Sequence, residues 1–187
     1  MAATPSLSSI LKSPLSIASL LTIMTFTAAT ASYSGEKEAS FHFYMQERIS
    51  PPNATGVKLV SSPINPAAPI FAFGNVIVFD NPLTADAVPS SPELGRAQGV
   101  AAFSSLDGRD ILYALTLTFT EHGPHPGSSI VILARNPTKD FWAVRELPVV
   151  GGTGKFRLAR GYVLMKIVYF NESAGVLRMK MDVFLQN

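Results

Sequence analysis

An all-β chain, folded as an antiparallel up-and-down β-barrel, is the architecture this sequence predicts. Three observations lead there. Apolar residues recur at every second position through most of the chain, Gly- and Pro-rich punctuation separates the runs, and no helical stripe longer than about two turns survives beyond the N-terminal stretch. Short strands in close succession, roughly seven to nine of them, make a sandwich or a barrel. Consecutive hairpins favour the barrel, which leaves no open sheet edge.

The runs can be taken in order. Ser40 to Glu47 sets Phe41, Phe43 and Met45 against His42, Tyr44 and Gln46. Val57 to Ser61 reads as one strand inside a loose stretch bounded by Pro51 and Pro69. Ile70 to Phe79 is rich in aromatic and β-branched residues. Asp80-Asn81-Pro82, Pro89-Ser90-Ser91-Pro92 and Asp107-Gly108 carry the residues that turns require. Ile111 to Glu121 opposes Leu115, Leu117 and Phe119 to Thr116, Thr118 and Thr120. Ile130 to Leu133 is a short β-branched run after the Gly123-Pro124-His125-Pro126-Gly127 turn. A strand starting at Arg145 leads into Gly151-Gly152-Thr153-Gly154, expected to be a tight connection. Tyr162 to Phe170 and Val176 to Leu185 end the series; the last opposes Leu177, Met179, Met181 and Val183 to Arg178, Lys180 and Asp182.

Residues 1–31 are of another kind. They hold one charged residue, Lys12, then the apolar run Leu15 to Thr27, then the small-residue site Ala29-Thr30-Ala31. That order is expected of a secretory signal cut after Ala31, which would leave residues 32–187 as a single barrel domain. The apolar run is too short, and too often interrupted by Ser and Thr, to be a membrane span. Export gives meaning to the sequons Asn53-Ala54-Thr55 and Asn171-Glu172-Ser173, which make Asn53 and Asn171 candidate glycosylation sites.

Composition narrows the chemistry. The 187 residues include no Cys and 3 His, with a net charge of +2 and 47% hydrophobic residues. Disulfides, thiol catalysis and Cys-ligated zinc are excluded, and no basic stripe marks a nucleic-acid binder. His122 and His125 lack a third ligand nearby and read as a polar hairpin tip, so no metal is assigned. Gly151-Gly152-Thr153-Gly154-Lys155 lacks the phosphate-loop spacing and is followed by Phe156. Glu47 at a strand end, Asp140 in a loop and Arg145 at the next strand start are the charged groups that a barrel mouth can use. A carboxylate desolvated there works as a general acid or base near neutral pH, whereas a solvated strand end does not.

Gly95-Arg96-Ala97-Gln98-Gly99, followed by the long segment Arg145-Glu146-Leu147-Pro148-Val149-Val150-Gly151-Gly152-Thr153-Gly154-Lys155-Phe156-Arg157-Leu158-Ala159-Arg160-Gly161-Tyr162, closely resembles the plant dirigent proteins. Phe41 to Glu47, Asn75 to Thr84 and Ile132 to Pro137 support the resemblance, which spans residues 40 to 187. It implies an eight-stranded antiparallel barrel, a homotrimer, and secretion to the apoplast. It implies a barrel without a cofactor that guides phenoxy radicals of monolignols, made by an auxiliary oxidase such as laccase or peroxidase, to one enantiomer in lignan biosynthesis. Other members act on quinone methides, including a branch that dehydrates an isoflavanol. A cell-wall defence or scaffold role is the remaining class.

The resemblance also assigns roles. Glu47 stands where lignan-forming members have Asp, and Arg145 matches their Arg before the Gly-Gly-Thr-Gly turn. Their second Asp, seven residues before that Arg, falls here on Thr138; the loop is two residues longer, and Asp140 is the candidate replacement. Two tyrosines of lignan-forming members fall on Ala101 and Phe103, which points to another branch. Glu47, Arg145 and Asp140 are thus candidate catalytic residues, and Phe43, Phe103 and Tyr113 candidate substrate-binding aromatics. Stereocontrol of about twentyfold needs under about 2 kcal/mol between two transition states, which a shaped apolar pocket with one or two hydrogen bonds provides.

Overall fold

The computed structural model describes residues 38–64, 67 and 71–186. The expected signal segment and its cut after Ala31 lie outside them. The strands are β1 (Glu38–Arg48), β2 (Gly56–Val60), β3 (Val76–Thr84), β4 (Glu93–Phe103), β5 (Asp110–Phe119), β6 (Ser129–Pro137), β7 (Arg145–Thr153), β8 (Arg160–Asn171) and β9 (Val176–Gln186). From β3 to β9 each strand pairs antiparallel with the next in sequence. β1 pairs with β9 along its length and with β3 at Tyr44–Thr84 and Met45–Leu83. That last pairing closes a barrel of eight strands, with β2 as an extra strand beside β3. Among the described residues no helix is long and apolar enough to cross a membrane.

Two elements depart from the periodicity reading. Asp80-Asn81-Pro82 is not a turn: β3 runs straight through it. The proline is tolerated because of where its nitrogen points. The Asp80 N–H leaves the β4 side and donates to the Thr55 carbonyl at 2.8 Å. Two residues on, the Pro82 nitrogen faces the same way, beyond the last β2 pair and before the first β1 pair, where no ladder bond is lost. β4 is the other departure, a strand that no alternating run announces. Its inward positions are Gly95, Ala97, Gly99, Ala101 and Phe103, so four of its five inward places offer almost no apolar signal. The small residues allow a close approach of β4 to β5. A Cβ on Gly99 would sit 2.3 Å from the Ala114 carbonyl oxygen and 2.7 Å from Leu115 Cα, so β4 and β5 approach more closely there than a side chain allows.

The barrel is filled unevenly. At one end Phe41, Phe43, Phe119 and Phe156 form an aromatic plug, with Phe41–Phe119, Phe43–Phe119 and Phe119–Phe156 ring centroids 5.8 to 5.9 Å apart. Phe156 comes from the 3₁₀ turn Gly154–Phe156 that joins β7 to β8. Gly154 sits there at φ +59°, with no room for a Cβ against Ser128 Oγ at 2.5 Å. The middle is packed by Leu83, Leu117, Ile132, Leu147, Val163 and Met181, all essentially inaccessible. The other end stays open.

Candidate active site

The open end is built from the C-terminal ends of β1, β4, β6 and β8 and the N-terminal ends of β3, β5, β7 and β9, which an up-and-down barrel brings to one rim. A cavity of about 200 Å³ lies inside it, walled by Ile77, Phe103, Ile111, Met165, Ile167 and Met179 among others. Four polar side chains reach this apolar wall from four strands: Glu47, Tyr113, Asn136 and Arg145. Phe71, Phe141 and Phe170 form the mouth, with Phe71–Phe141 centroids 6.2 Å apart and Phe141–Phe170 5.0 Å apart.

Phe170 reaches the cavity through a bulge. β8 pairs Ile167 with Met179 and Tyr169 with Arg178, leaving Val168 as the extra residue. The bulge resets the alternation, so that Phe170 faces inward opposite Leu177 while Tyr169 faces out and stacks under the Arg178 guanidinium at 4.4 Å.

Glu47 follows Phe43 and Met45 on the inward face of β1. Desolvation pushes its carboxyl up to about 7, and the side-chain amide of Asn81 works against that rise. A carboxyl of that kind is close to half protonated at neutral pH and is equally able to give and take a proton. Burial also raises the Tyr113 phenol well above its usual range; the Glu47 charge adds to the rise and Arg145 opposes it. Arg145 is 4% exposed and its guanidinium is pulled below the usual value by desolvation, with Tyr113 and Asp140 acting in the other direction. Its Nη2 donates to the Phe141 carbonyl, which ties the β6–β7 loop to the cavity wall. Its Nε is buried without an acceptor, and Asn136 Oδ1 is buried without a donor. The site therefore keeps one N–H donor and one carbonyl acceptor unspent beside an apolar cavity.

The structure brings Glu47, Arg145, Phe103 and Tyr113 to one cavity. It does not bring Asp140 there. Asp140 is exposed in the β6–β7 loop, accepts the Trp142 N–H at 3.2 Å, and reaches Arg145 through its charge alone. Phe43 lies in the aromatic plug at the far end: it shares the inward face with Glu47 but sits four residues earlier along β1. Asn53 is exposed at φ +65° beyond β1, and Asn171 ends β8, its Oδ1 accepting from Ser173 Oγ at 2.9 Å. Asn136, Asn81 and the mouth aromatics Phe141 and Phe170 were not among the sequence-derived candidates. Asn136 lies in the Ile132 to Pro137 segment that supports the resemblance, but nothing in the spacing shows that its amide is buried at the cavity. Among the described residues no group of His, Asp and Glu is placed to hold a metal ion.

Residues 38–186 match the sequence profile of the Dirigent-like protein family, which covers the whole barrel just described. The chain belongs to the dirigent family. Dirigent protein 1 of Arabidopsis thaliana is 38% identical over 159 residues, spanning 84% of each chain. Pterocarpan synthase 1 of Glycine max is 31% identical over 172 residues, spanning 90% of this chain and 91% of that one. A solved pterocarpan synthase dirigent protein superposes with a TM-score of 0.73 at 30% identity, covering 83% of this chain and 98% of that chain. The dirigent barrel seen here carries an apolar cavity at the rim to which Glu47 and Arg145 both contribute.

Proposed function

We propose that this dirigent barrel imposes stereochemistry on a phenolic quinone methide, with Glu47 as the proton carrier and Arg145 as the hydrogen-bond donor to the quinone-methide oxygen. The observation that carries the reading is the Glu47 carboxyl on the wall of an apolar cavity, poised at about 7. Joining two radicals needs no proton, whereas forming or closing a quinone methide does. For an isoflavanol-type alcohol, Glu47 donates its proton to the leaving hydroxyl and the C–O bond breaks to release water. The para phenol releases its proton to water, which returns one when the ring rearomatises, and becomes the quinone-methide carbonyl, held by the Arg145 N–H. A second phenolic oxygen then attacks the methide carbon, the ring regains its proton at oxygen, and the attacking phenol returns a proton to Glu47. The net change is loss of one water, and the cavity wall decides which face is attacked. The pterocarpan synthase relatives support this branch.

The wider family chemistry is the second reading, supported by the higher identity to Dirigent protein 1. A separate oxidase, such as laccase or peroxidase, would remove one electron from each of two monolignols. The coupled pair is itself a bis-quinone methide, whose ring closure also moves protons. We further propose secretion to the apoplast, with glycans at Asn53 and Asn171. We propose a homotrimer assembled through the outer aliphatic row Val78, Val100 and Leu133, which are 37%, 37% and 49% exposed. Val78 is register partner to Val100 and Val100 to Ala114, which in turn pairs with Leu133, so the row runs straight across four strands.

One experiment separates the branches. Purified protein is incubated with a 2′-hydroxyisoflavanol alone, and separately with coniferyl alcohol plus a one-electron oxidant, and the products are resolved by chiral chromatography. Protein-dependent ring closure without oxidant supports the first reading; enantiomeric excess only with oxidant supports the second. Racemic or unchanged material in both overturns the proposal for these substrates.

A further inference from the structure

The closing seam of the barrel brings a buried amide, Asn81, to the strand that carries Glu47. β1 and β3 pair at Tyr44–Thr84 and Met45–Leu83, then separate. Carried two residues further, the same antiparallel register sets Glu47 opposite Asn81, both on the inward face. Thr55 fills the gap that opens. Its N–H donates to the Arg48 carbonyl at 2.7 Å, and its carbonyl accepts the Asp80 N–H at 2.8 Å, so one residue bridges both strands. Its hydroxyl accepts the Arg48 N–H at 2.9 Å and donates to Asn81 Oδ1 at 2.6 Å.

That last bond fixes the amide. With Oδ1 held by Thr55, the Asn81 side chain can turn only its Nδ2 toward the carboxyl of Glu47. Asn81 is fully buried, and its Nδ2 meets no acceptor at ordinary hydrogen-bond geometry. A buried N–H left open is costly, and a carboxylate accepts far more strongly than a neutral acid. The next residue makes room for the group: a Cβ on Gly56 would stand 3.2 Å from Glu47 Oε1.

We propose that Thr55 and Asn81 are positioning residues for Glu47: the Thr55 hydroxyl locks the Asn81 amide so that its open N–H receives the carboxylate whenever Glu47 gives up its proton. The inference rests on Glu47 being the proton carrier. The pull of the Asn81 amide on the carboxyl is in the same direction. The other titratable side chains lining the cavity with Glu47 are Tyr113 from β5, Arg145 from β7 and Glu172 from the β8–β9 turn. The β2 segment adds only Thr55 and Gly56 beside it, and Asp80 on β3 faces outward to Arg96. None of these is altered by a change at Thr55.

The test is the Glu47 titration itself, read from the carboxylic C=O stretch by infrared difference spectroscopy, with Glu47→Gln identifying the band. All samples carry Asn53→Gln, so that the sequon is not a variable. Thr55→Val removes the hydroxyl and nearly keeps the shape; Thr55→Ser restores the hydroxyl. The expected result is a midpoint about one unit higher in Thr55→Val, the size of one lost charge-assisted bond, and the native midpoint in Thr55→Ser. A folded Thr55→Val with an unmoved midpoint overturns the inference even if its melting temperature falls, because a purely structural seam would lose stability alone. Asn81→Leu is the second variant and should move the midpoint the same way. A shifted midpoint in Thr55→Val together with native rates in Glu47→Gln would leave the Thr55–Asn81–Glu47 arrangement standing and remove Glu47 from the proposed reaction.

Discussion

Glu47 on β1 and Tyr113 on β5 line the same cavity, and the carboxylate charge is one of the forces that keep the phenol protonated. Burial holds the phenol well above its usual range, so of this pair the group that titrates near neutral pH is the carboxyl. Glu47→Gln keeps the size and the hydrogen-bonding ends but cannot carry a proton. Product formation should fall by about a hundredfold, the usual share of a general acid–base group. The inflection near pH 7 in the rate profile should vanish with it. Native rates and chirality in the variant would exclude Glu47 from the chemistry.

The same carboxyl predicts how stability follows pH. Folded Glu47 holds its proton to about 7, while the unfolded chain releases it near 4.5. Between those values the folded state binds more protons, so stability is highest below 4.5 and declines as pH rises to about 7. The decline should be on the order of 2–3 kcal/mol, from the size of the shift. Asp80, whose carboxyl Arg96 holds below 3.8, acts only at more acidic pH. Urea unfolding across this range should show the slope in the native chain and a flat line in Glu47→Gln.

Arg145 combines two tasks in one planar group. Nη2 ties the Phe141 carbonyl and Nε is open beside the cavity. A lysine has no second fixed N–H to offer, so Arg145→Lys is not a conservative change here. Arg145→Met should release the loop that carries Phe141, lowering amide-exchange protection from Thr138 to Val144 and product chirality together. Thermal stability should change little, because the lost bond is offset by relief of a desolvated charge. Unchanged enantiomeric excess in Arg145→Met would place the guanidinium outside the substrate's reach.

What the sequence discloses is the face of each residue, not its height in the barrel. Period two puts Phe43 and Glu47 on one inward line, and only the register with β9 and β3 separates the plug from the cavity. The Val168 bulge shifts the alternation of β8 by one, so strict periodicity places Tyr169 where Phe170 stands. The second half of β3 hides because Asn and Pro usually mark turns, and here the proline lies where β3 has no partner on that side. Glu47 and Arg145 are visible through family motifs. Thr55, Asn81 and Asn136 are not, since each acquires its role from a strand distant in sequence.

β4 makes its own stability prediction. Gly99 faces inward opposite Leu115 on β5, and a Cβ there would press on the Ala114 carbonyl, Leu115 Cα and Leu115 Cβ, at 2.3 to 2.7 Å. Two of those atoms are backbone, so no rotamer change relieves the contact, and the β4–β5 ladder must move. Gly127 offers the contrast: it sits at φ +72° with nothing within 4 Å of the added carbon. Gly127→Ala therefore adds only backbone strain, about 1–2 kcal/mol. Gly99→Ala adds overpacking against fixed atoms and should cost about 3 kcal/mol or more. The measurement is urea unfolding of both variants beside the native chain. A Gly99→Ala cost no larger than that of Gly127→Ala would mean that β4 can relax outward. In that case the glycine is not what brings Ala101 and Phe103 to the cavity wall.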